Sequence, residues 1–243
     1  MALYVLSDTH LSLSCDKPMD IFGYRWKDYQ NRIAENWQNT VSDGDTVIVA
    51  GDVSWGMSLD DALSDFKFLD SLPGTKLLGK GNHDYWWDTV KKMTAFLDKH
   101  EIKSLKFLYN NAYSVEGITV CGSRGWWSDK KSASNNTDYD KMVAREAMRT
   151  EHSILDGLNR FGGEPTVFLH FPPVHRELVC REIMDVLHKY NVKRCYYGHI
   201  HNVYNLEPRF EFEGIEFIIT SADYLSFKPL KVDIEAEIEP LHI

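Results

Sequence analysis

Lys76-Leu77-Leu78-Gly79-Lys80-Gly81-Asn82-His83-Asp84 decides how the rest of the sequence is read. A short apolar run passes through two glycines into an amide, an imidazole and a carboxylate. Glycine adopts positive φ at little cost, so the backbone can turn sharply here and approach another segment closely. Amide oxygen, imidazole nitrogen and carboxylate are donors that suit hard-to-borderline divalent cations. Taken alone, this turn is a weak signal.

Four other places repeat its construction. Leu3-Tyr4-Val5-Leu6 runs into Ser7-Asp8-Thr9-His10, and Thr46-Val47-Ile48-Val49-Ala50 into Gly51-Asp52. Thr166-Val167-Phe168-Leu169 ends in His170, and Arg194-Cys195-Tyr196-Tyr197 ends in Gly198-His199-Ile200-His201. Short continuous apolar runs are the pattern of strands buried on both faces.

Helical patterns lie between the runs. Trp26, Tyr29, Ile33 and Trp37 predict a helix over 26–39, and a Ser58/Asp61 capping box precedes Leu59, Leu63, Phe66 and Leu69. Further helices are predicted over 86–100, over 138–160 with a stop at Gly162-Gly163, and over 177–190. Asn110-Asn111 and Glu116-Gly117 read as hairpin turns. Alternating strands and helices imply an α/β fold with largely parallel strands, extended by antiparallel hairpins after residues 105 and 203. With no repeat, low-complexity tract or dividing linker, residues 1–243 read as one domain.

Composition narrows the class. The 43% apolar and 26% charged residues are ordinary for a globular chain with a substantial core. No apolar run approaches the ~20 residues that span a bilayer. The N-terminus meets Asp8 too soon for a signal peptide, and reads as the first strand. Cys15, Cys121, Cys180 and Cys195 are widely spaced, as buried free thiols in a reducing cytoplasm would be. A net charge of −9 argues against unspecific nucleic-acid binding, but not against an anionic substrate held by cations.

In an open α/β sheet, functional groups gather at the carboxyl ends of the strands. Asp8, His10, Asp52, Asn82, His170, His199 and His201 therefore converge on one crevice in this reading. Each has a simpler explanation alone: a helix cap for Asp52, a turn residue for Asn82, a structural histidine for His170. Five strand ends carrying such residues by coincidence is the weaker account. The donors exceed what one tetrahedral ion needs and suit two ions about 3.5–4 Å apart, bridged by a carboxylate.

Asp8-Thr9-His10, Gly51-Asp52, Gly81-Asn82-His83-Asp84, His170 and Gly198-His199-Ile200-His201 resemble, in order, the signatures of calcineurin-like metallophosphoesterases. The resemblance runs from residue 8 to 201, and its Gly-Asn-His-Asp and Gly-His-x-His elements are the specific ones. It implies a four-layer sandwich of two stacked mixed sheets flanked by helices. It implies that Asp8, His10 and His201 hold one metal, that Asn82, His170 and His199 hold the second, and that Asp52 bridges them. Manganese, iron or zinc is expected. A bridging water acidified by two cations would then attack phosphorus in line. His83, not needed as a ligand, is placed to donate a hydrogen bond or a proton to the leaving oxygen; the alternative is a histidine that orders the turn through Asp84. Protein phosphatases of this type carry Asp three residues after the bridging Asp, where this chain has Trp55, so that specialisation is disfavoured.

Substrate contacts are read two ways. Trp55, Trp86 and Trp127 follow strand ends and either stack a flat substrate group or pack under loops. Arg124 either binds phosphate or forms an ion pair. His175 is expected at the rim, and 128–137 is either a lid or a plain surface loop. The leading reading is a hydrolase of a phosphomonoester or phosphodiester, on a small molecule or nucleotide. A DNA-directed nuclease and a non-catalytic scaffold are the alternatives; the acidic balance weighs against the first, and the complete donor set against the second.

Overall fold

The computed structural model describes residues 1–17, 19–126 and 136–232. β1 (Leu3–Val5), β2 (Thr46–Val49), β3 (Thr75–Leu78) and β4 (Leu105–Phe107) form parallel neighbours in one sheet. A second sheet contains β5 (Ala112–Val115), β6 (Ile118–Ser123), β7 (Pro165–Leu169), β10 (Arg194–Tyr197), β11 (Arg209–Phe212) and β12 (Ile215–Ile219). Its order is β11-β12-β10-β7-β6-β5, parallel inside and antiparallel at both edges. β8 (Val174–His175) and β9 (Leu178–Val179) make a separate ribbon, and β13 (Leu230–Lys231) pairs antiparallel with β1.

Period-two alternation explains why the sheets stack. Leu3, Val5, Ile48, Ala50 and Leu77 face one way and pack with Ile118, Val120, Phe168, Tyr196 and Ile218 of the other sheet. Their neighbours in sequence, among them Val47, Val49, Leu78, Val167, Leu169 and Cys195, belong to the core on the helix side. Each fully buried aliphatic or aromatic side chain here contributes about 1.5–3 kcal/mol of transfer free energy. Phe168 stacks on Tyr196 at 4.9 Å in the middle of that interface, so Phe168→Ala would cost about 3–5 kcal/mol. The mixed sheets flanked by helices match the expected α/β sandwich.

Helix starts differ from the pattern-based bounds, each for a local reason. α1 is Tyr29–Thr40, because left-handed Asp28 (φ 54) breaks the chain after the 3₁₀ turn Tyr24–Trp26. Ser58 and Asp61 do bond to each other, but they order a turn ahead of α2 (Leu63–Ser71). α3 (Val90–Lys99) begins late because 84–87 belong to the site, and Thr89 caps it. α4 is Asn136–Arg160, and α5 (Arg181–Lys189) starts only after the β8–β9 ribbon.

Asn110-Asn111 is not a hairpin: β4 and β5 lie in different sheets, so this segment carries the chain between layers. Glu116-Gly117 and Glu213-Gly214 do close hairpins, with positive φ at both residues of each pair, as a tight two-residue turn requires. Among the described residues, no helix is long and apolar enough to cross a membrane.

Candidate metal centre

The carboxyl ends of β1, β2, β3, β7 and β10 converge. Asp8, His10 and His201 place ligand atoms within 4.8 Å of one another, and so do Asp52, His170 and His199. Asn82 joins the second group, its Oδ1 lying 2.7 Å from His170 Nε2. Asp52 stands between the groups, with Oδ2 3.7 Å from His10 Nε2 and 3.5 Å from His170 Nε2. His10 Nε2 and His201 Nε2 lie 3.2 Å apart, and His201 Nε2 is 3.3 Å from Asp8 Oδ1.

Strained backbone holds these residues. Asp8, His10, Asp52 and His199 all take left-handed φ values of 59°, 44°, 50° and 69°. Non-glycine residues in that region cost of order 1–3 kcal/mol each and persist only where the surroundings over-determine them. Here they do. Asp8 N and His10 N donate to Gly51 O and Asp52 O, Tyr29 Oη donates to His10 O at 2.7 Å, and Thr9 Oγ1 donates to Val53 O.

Two glycines are required by closeness. A Cβ on Gly81 would overlap Asp52 Oδ1, and one on Gly198 would overlap Asp8 Oδ2. Asp84 then locks the β2 and β3 loops together. Its carboxylate accepts from the backbone N–H groups of Asp52, Val53, Ser54 and Gly81 and from Trp86 Nε1. The turn is thus ordered by Asp84 through backbone donors rather than through the His83 ring. Burial lifts the Asp84 carboxyl to about 6, against the pull of those donors.

Burial, reinforced by the surrounding imidazoles, holds His10 and His170 well below the usual histidine range and His199 down to about 3. Neutral imidazole is the ligating form. For His201 burial also pushes downward, but Asp8 and a 2.8 Å bond from Nδ1 to Asp223 outweigh it and raise the ring to about 10. Burial raises Asp52 well above its ordinary value, with Asp84 and Asp8 adding to the effect. Buried lone-pair atoms crowded this closely repel one another unless a proton or cation sits among them. The residues therefore fit a pair of divalent cations, one per group.

His83 belongs to neither group. Its backbone N–H donates to Asp52 Oδ1 at 2.7 Å, its ring lies 4.5 Å from that of Trp55, and Nδ1 is 3.3 Å from Tyr85 Oη. Trp55 thus packs against the ring. Trp55 also stacks on His10 at 5.0 Å and carries the Lys17 ammonium 5.3 Å from its ring centre.

The other predicted contacts separate. Trp86 is buried against Phe66, its indole N–H spent on Asp84, the packed arrangement of the two readings. Arg124 pairs with buried Glu146 at 3.4 Å and lies 4.6 Å over Trp126. His175 sits on the β8–β9 ribbon, and Trp127 and most of the 128–137 loop lie outside the described residues.

Asp223 escaped the sequence reading although it supports His201 in the way second-sphere carboxylates orient ligand histidines. The signal was available: β12 is another apolar strand, and it ends in Thr220-Ser221-Ala222-Asp223.

No curated protein matches the sequence. Among the solved structures that share the fold are two bacterial proteins. AQ665 from Aquifex aeolicus is 18% identical over 95% of each chain, with a TM-score of 0.51. TT1561 from Thermus thermophilus is 12% identical over 96% of this chain and 98% of its own, with a TM-score of 0.56. The calcineurin-like phosphoesterase model matches residues 1–203. That match spans most of the chain and every residue of the two donor groups, and it makes the chain a member of the calcineurin-like phosphoesterases, metal-dependent hydrolases of phosphoester bonds.

Proposed function

We propose that the chain hydrolyses a phosphomonoester or phosphodiester of small-molecule or nucleotide type. In this reading Asp8, His10 and His201 hold one divalent cation, Asn82, His170 and His199 hold the second, and Asp52 is shared. The observation that carries it is the position of Asp52 Oδ2, 3.7 Å from one group's imidazole and 3.5 Å from the other's. When bound, a pair of manganese, iron or zinc ions supplies positive charge that acidifies water and neutralises phosphoryl oxygens.

The chain's own residues do the rest. His10, His170 and His199 stay neutral through burial and offer lone pairs. Asp223 fixes the His201 ring by its bond to Nδ1, leaving Nε2 free to face Asp8. His83 gives a proton to the departing oxygen as the phosphorus–oxygen bond breaks. The packing of Trp55 and Tyr85 against the His83 ring supports that role, since a proton donor must be held in a fixed direction. The free thiols of buried Cys121, Cys180 and Cys195 support a reducing cytoplasm as its location.

The test is metal analysis of the purified protein joined to a panel of bis-p-nitrophenyl phosphate, p-nitrophenyl phosphate, cyclic nucleotides and DNA. Two metals per chain and turnover of at least one small ester are expected. Inertness across the panel after manganese loading would overturn the reading. His83→Ala should keep its metal yet lose turnover by ~10²-fold or more. Metal loss in that variant would make His83 structural.

A further inference from the structure

On the side of the site formed by His10, His83 and His201, a cavity of about 330 Å³ opens. Beyond those imidazoles its walls are Met19, Phe22, Trp26, Trp55 and Asn202. Among the described residues, no Lys, Arg, Asp or Glu lines it. Against Met19, Phe22, Trp26 and Trp55 a charged group would give up water to aromatic and thioether surface, at a cost of several kcal/mol. A volume near 330 Å³ is at the small end of ligand pockets, the size of one or two rings with their substituents.

The walls are arranged before any ligand arrives. Trp55 is held by the His10 ring and by its indole N–H, which donates to Met19 Sδ at 3.2 Å. Trp26 is 1% exposed and crosses His10 and His201 edge to face at 5.9 and 5.6 Å. Its indole N–H has no hydrogen-bond partner among the described residues, and an unmet buried donor costs about 1–3 kcal/mol. Phe22, on the 3₁₀ turn Met19–Phe22, is 52% exposed, an aromatic wall that a ligand would cover. His83 lies in the same wall, so the oxygen it protonates must face this cavity.

We propose that this cavity receives the leaving group of the ester, and that the preferred leaving group is an uncharged, ring-bearing alcohol rather than phosphate or another anion. The inference rests on the hydrolase reading above. Water adds its OH to phosphorus, the ester phosphorus–oxygen bond breaks, and the departing oxygen takes a proton from His83, which water's second proton replaces, so that the neutral alcohol leaves in the cavity.

Kinetics of the manganese-loaded protein on 1-naphthyl phosphate, glycerol 1-phosphate and inorganic pyrophosphate test it, with bis-p-nitrophenyl phosphate as the diester arm. The aryl esters should be preferred and pyrophosphate refused. Because aryl alcohols are intrinsically better leaving groups, the decisive readout is the change in preference. In Phe22→Ala the ratio of kcat/KM for the aryl ester to that for glycerol 1-phosphate should fall about tenfold, through KM. Titration of wild type and Phe22→Ala with 1-naphthol, followed by tryptophan fluorescence, reads the cavity without turnover and should show weaker binding in the variant. Pyrophosphate as the best substrate, or an unchanged ratio with unchanged naphthol binding, would overturn the inference while leaving the hydrolase standing. Naphthol binding without hydrolysis of any ester would instead bring down the hydrolase reading, and the leaving-group role with it.

Discussion

His199 and His201 are separated by one residue in Gly198-His199-Ile200-His201, yet their surroundings drive them in opposite directions. The His199 ring sits 5.1 Å from His170 and 4.3 Å from Phe171, and burial takes it down to about 3. The His201 ring meets Asp8 on Nε2 and Asp223 on Nδ1, which carry it up to about 10.

The contrast extends to the two halves of the site. The His201 half is walled by Trp26, Trp55 and Phe22 and backed by a buried carboxylate. On the other side Arg124, whose backbone carbonyl accepts from His170 N, brings its charge near Glu146 and Arg149. Lys80, which leads into Gly81-Asn82, feels Arg124 and Arg149 strongly enough that they add to burial in lowering its ammonium. One donor centre therefore has an aromatic flank and a flank where Lys80, Arg124 and Arg149 gather around Glu146. A phosphoester with its charge toward one side and its ring toward the other matches that polarity.

The largest effect should come from the residue both halves share. Asp52→Asn should remove bound metal and bring turnover to background together, read by metal analysis and hydrolysis of bis-p-nitrophenyl phosphate. A fully active Asp52→Asn protein would abolish the idea of a shared ligand.

Asp223→Asn should strike one half only, weakening one of two manganese sites about 10–100-fold and leaving the other. Isothermal titration should show one site weakened relative to the unaltered protein and the other unchanged. Equal weakening of both would erase the distinction between the halves.

Gly198→Ala sets a Cβ against Asp8 Oδ2 and should lower stability by about 1–3 kcal/mol in thermal melting, since backbone must move to make room. The smallest effect lies away from both halves. Lys76 is buried in β3 beside Leu72 O and Ser104, and burial pushes its ammonium down to about 8. The unfolded chain, with an ordinary value near ~10.4, holds that proton more tightly. Its effect on stability should thus be unfavourable below pH 8 and fade as pH rises from about 8 to ~10.4. Lys76→Met should flatten that rise in denaturant titrations while leaving metal content untouched.

Much of the candidate site was legible because each candidate ligand belongs to a local pattern. An apolar run followed at once by a metal-type donor can be read within ten residues, and Asp8, Asp52, Asn82, His170 and His199 all fit it. Asp223 fits it too, but β12 lies in a stretch of hairpins where a parallel strand was not expected. Trp86 stayed open between a substrate contact and packing under a loop. Its position after a strand end suggested the mouth of the site, whereas its indole N–H completes the set of donors on Asp84 and turns the ring inward. Asn110-Asn111 looked like a hairpin because turn chemistry does not reveal which sheet the next strand joins.

By itself the sequence determined the strands, their polar ends and the donor chemistry, because those depend on side-chain period and residue type over a few positions. Only the tertiary structure decided which histidine gains a carboxylate, which tryptophan faces a cavity and which flank carries charge. These depend on distances between segments far apart in the chain, and burial makes each such distance count because low local polarity amplifies both pairing and repulsion.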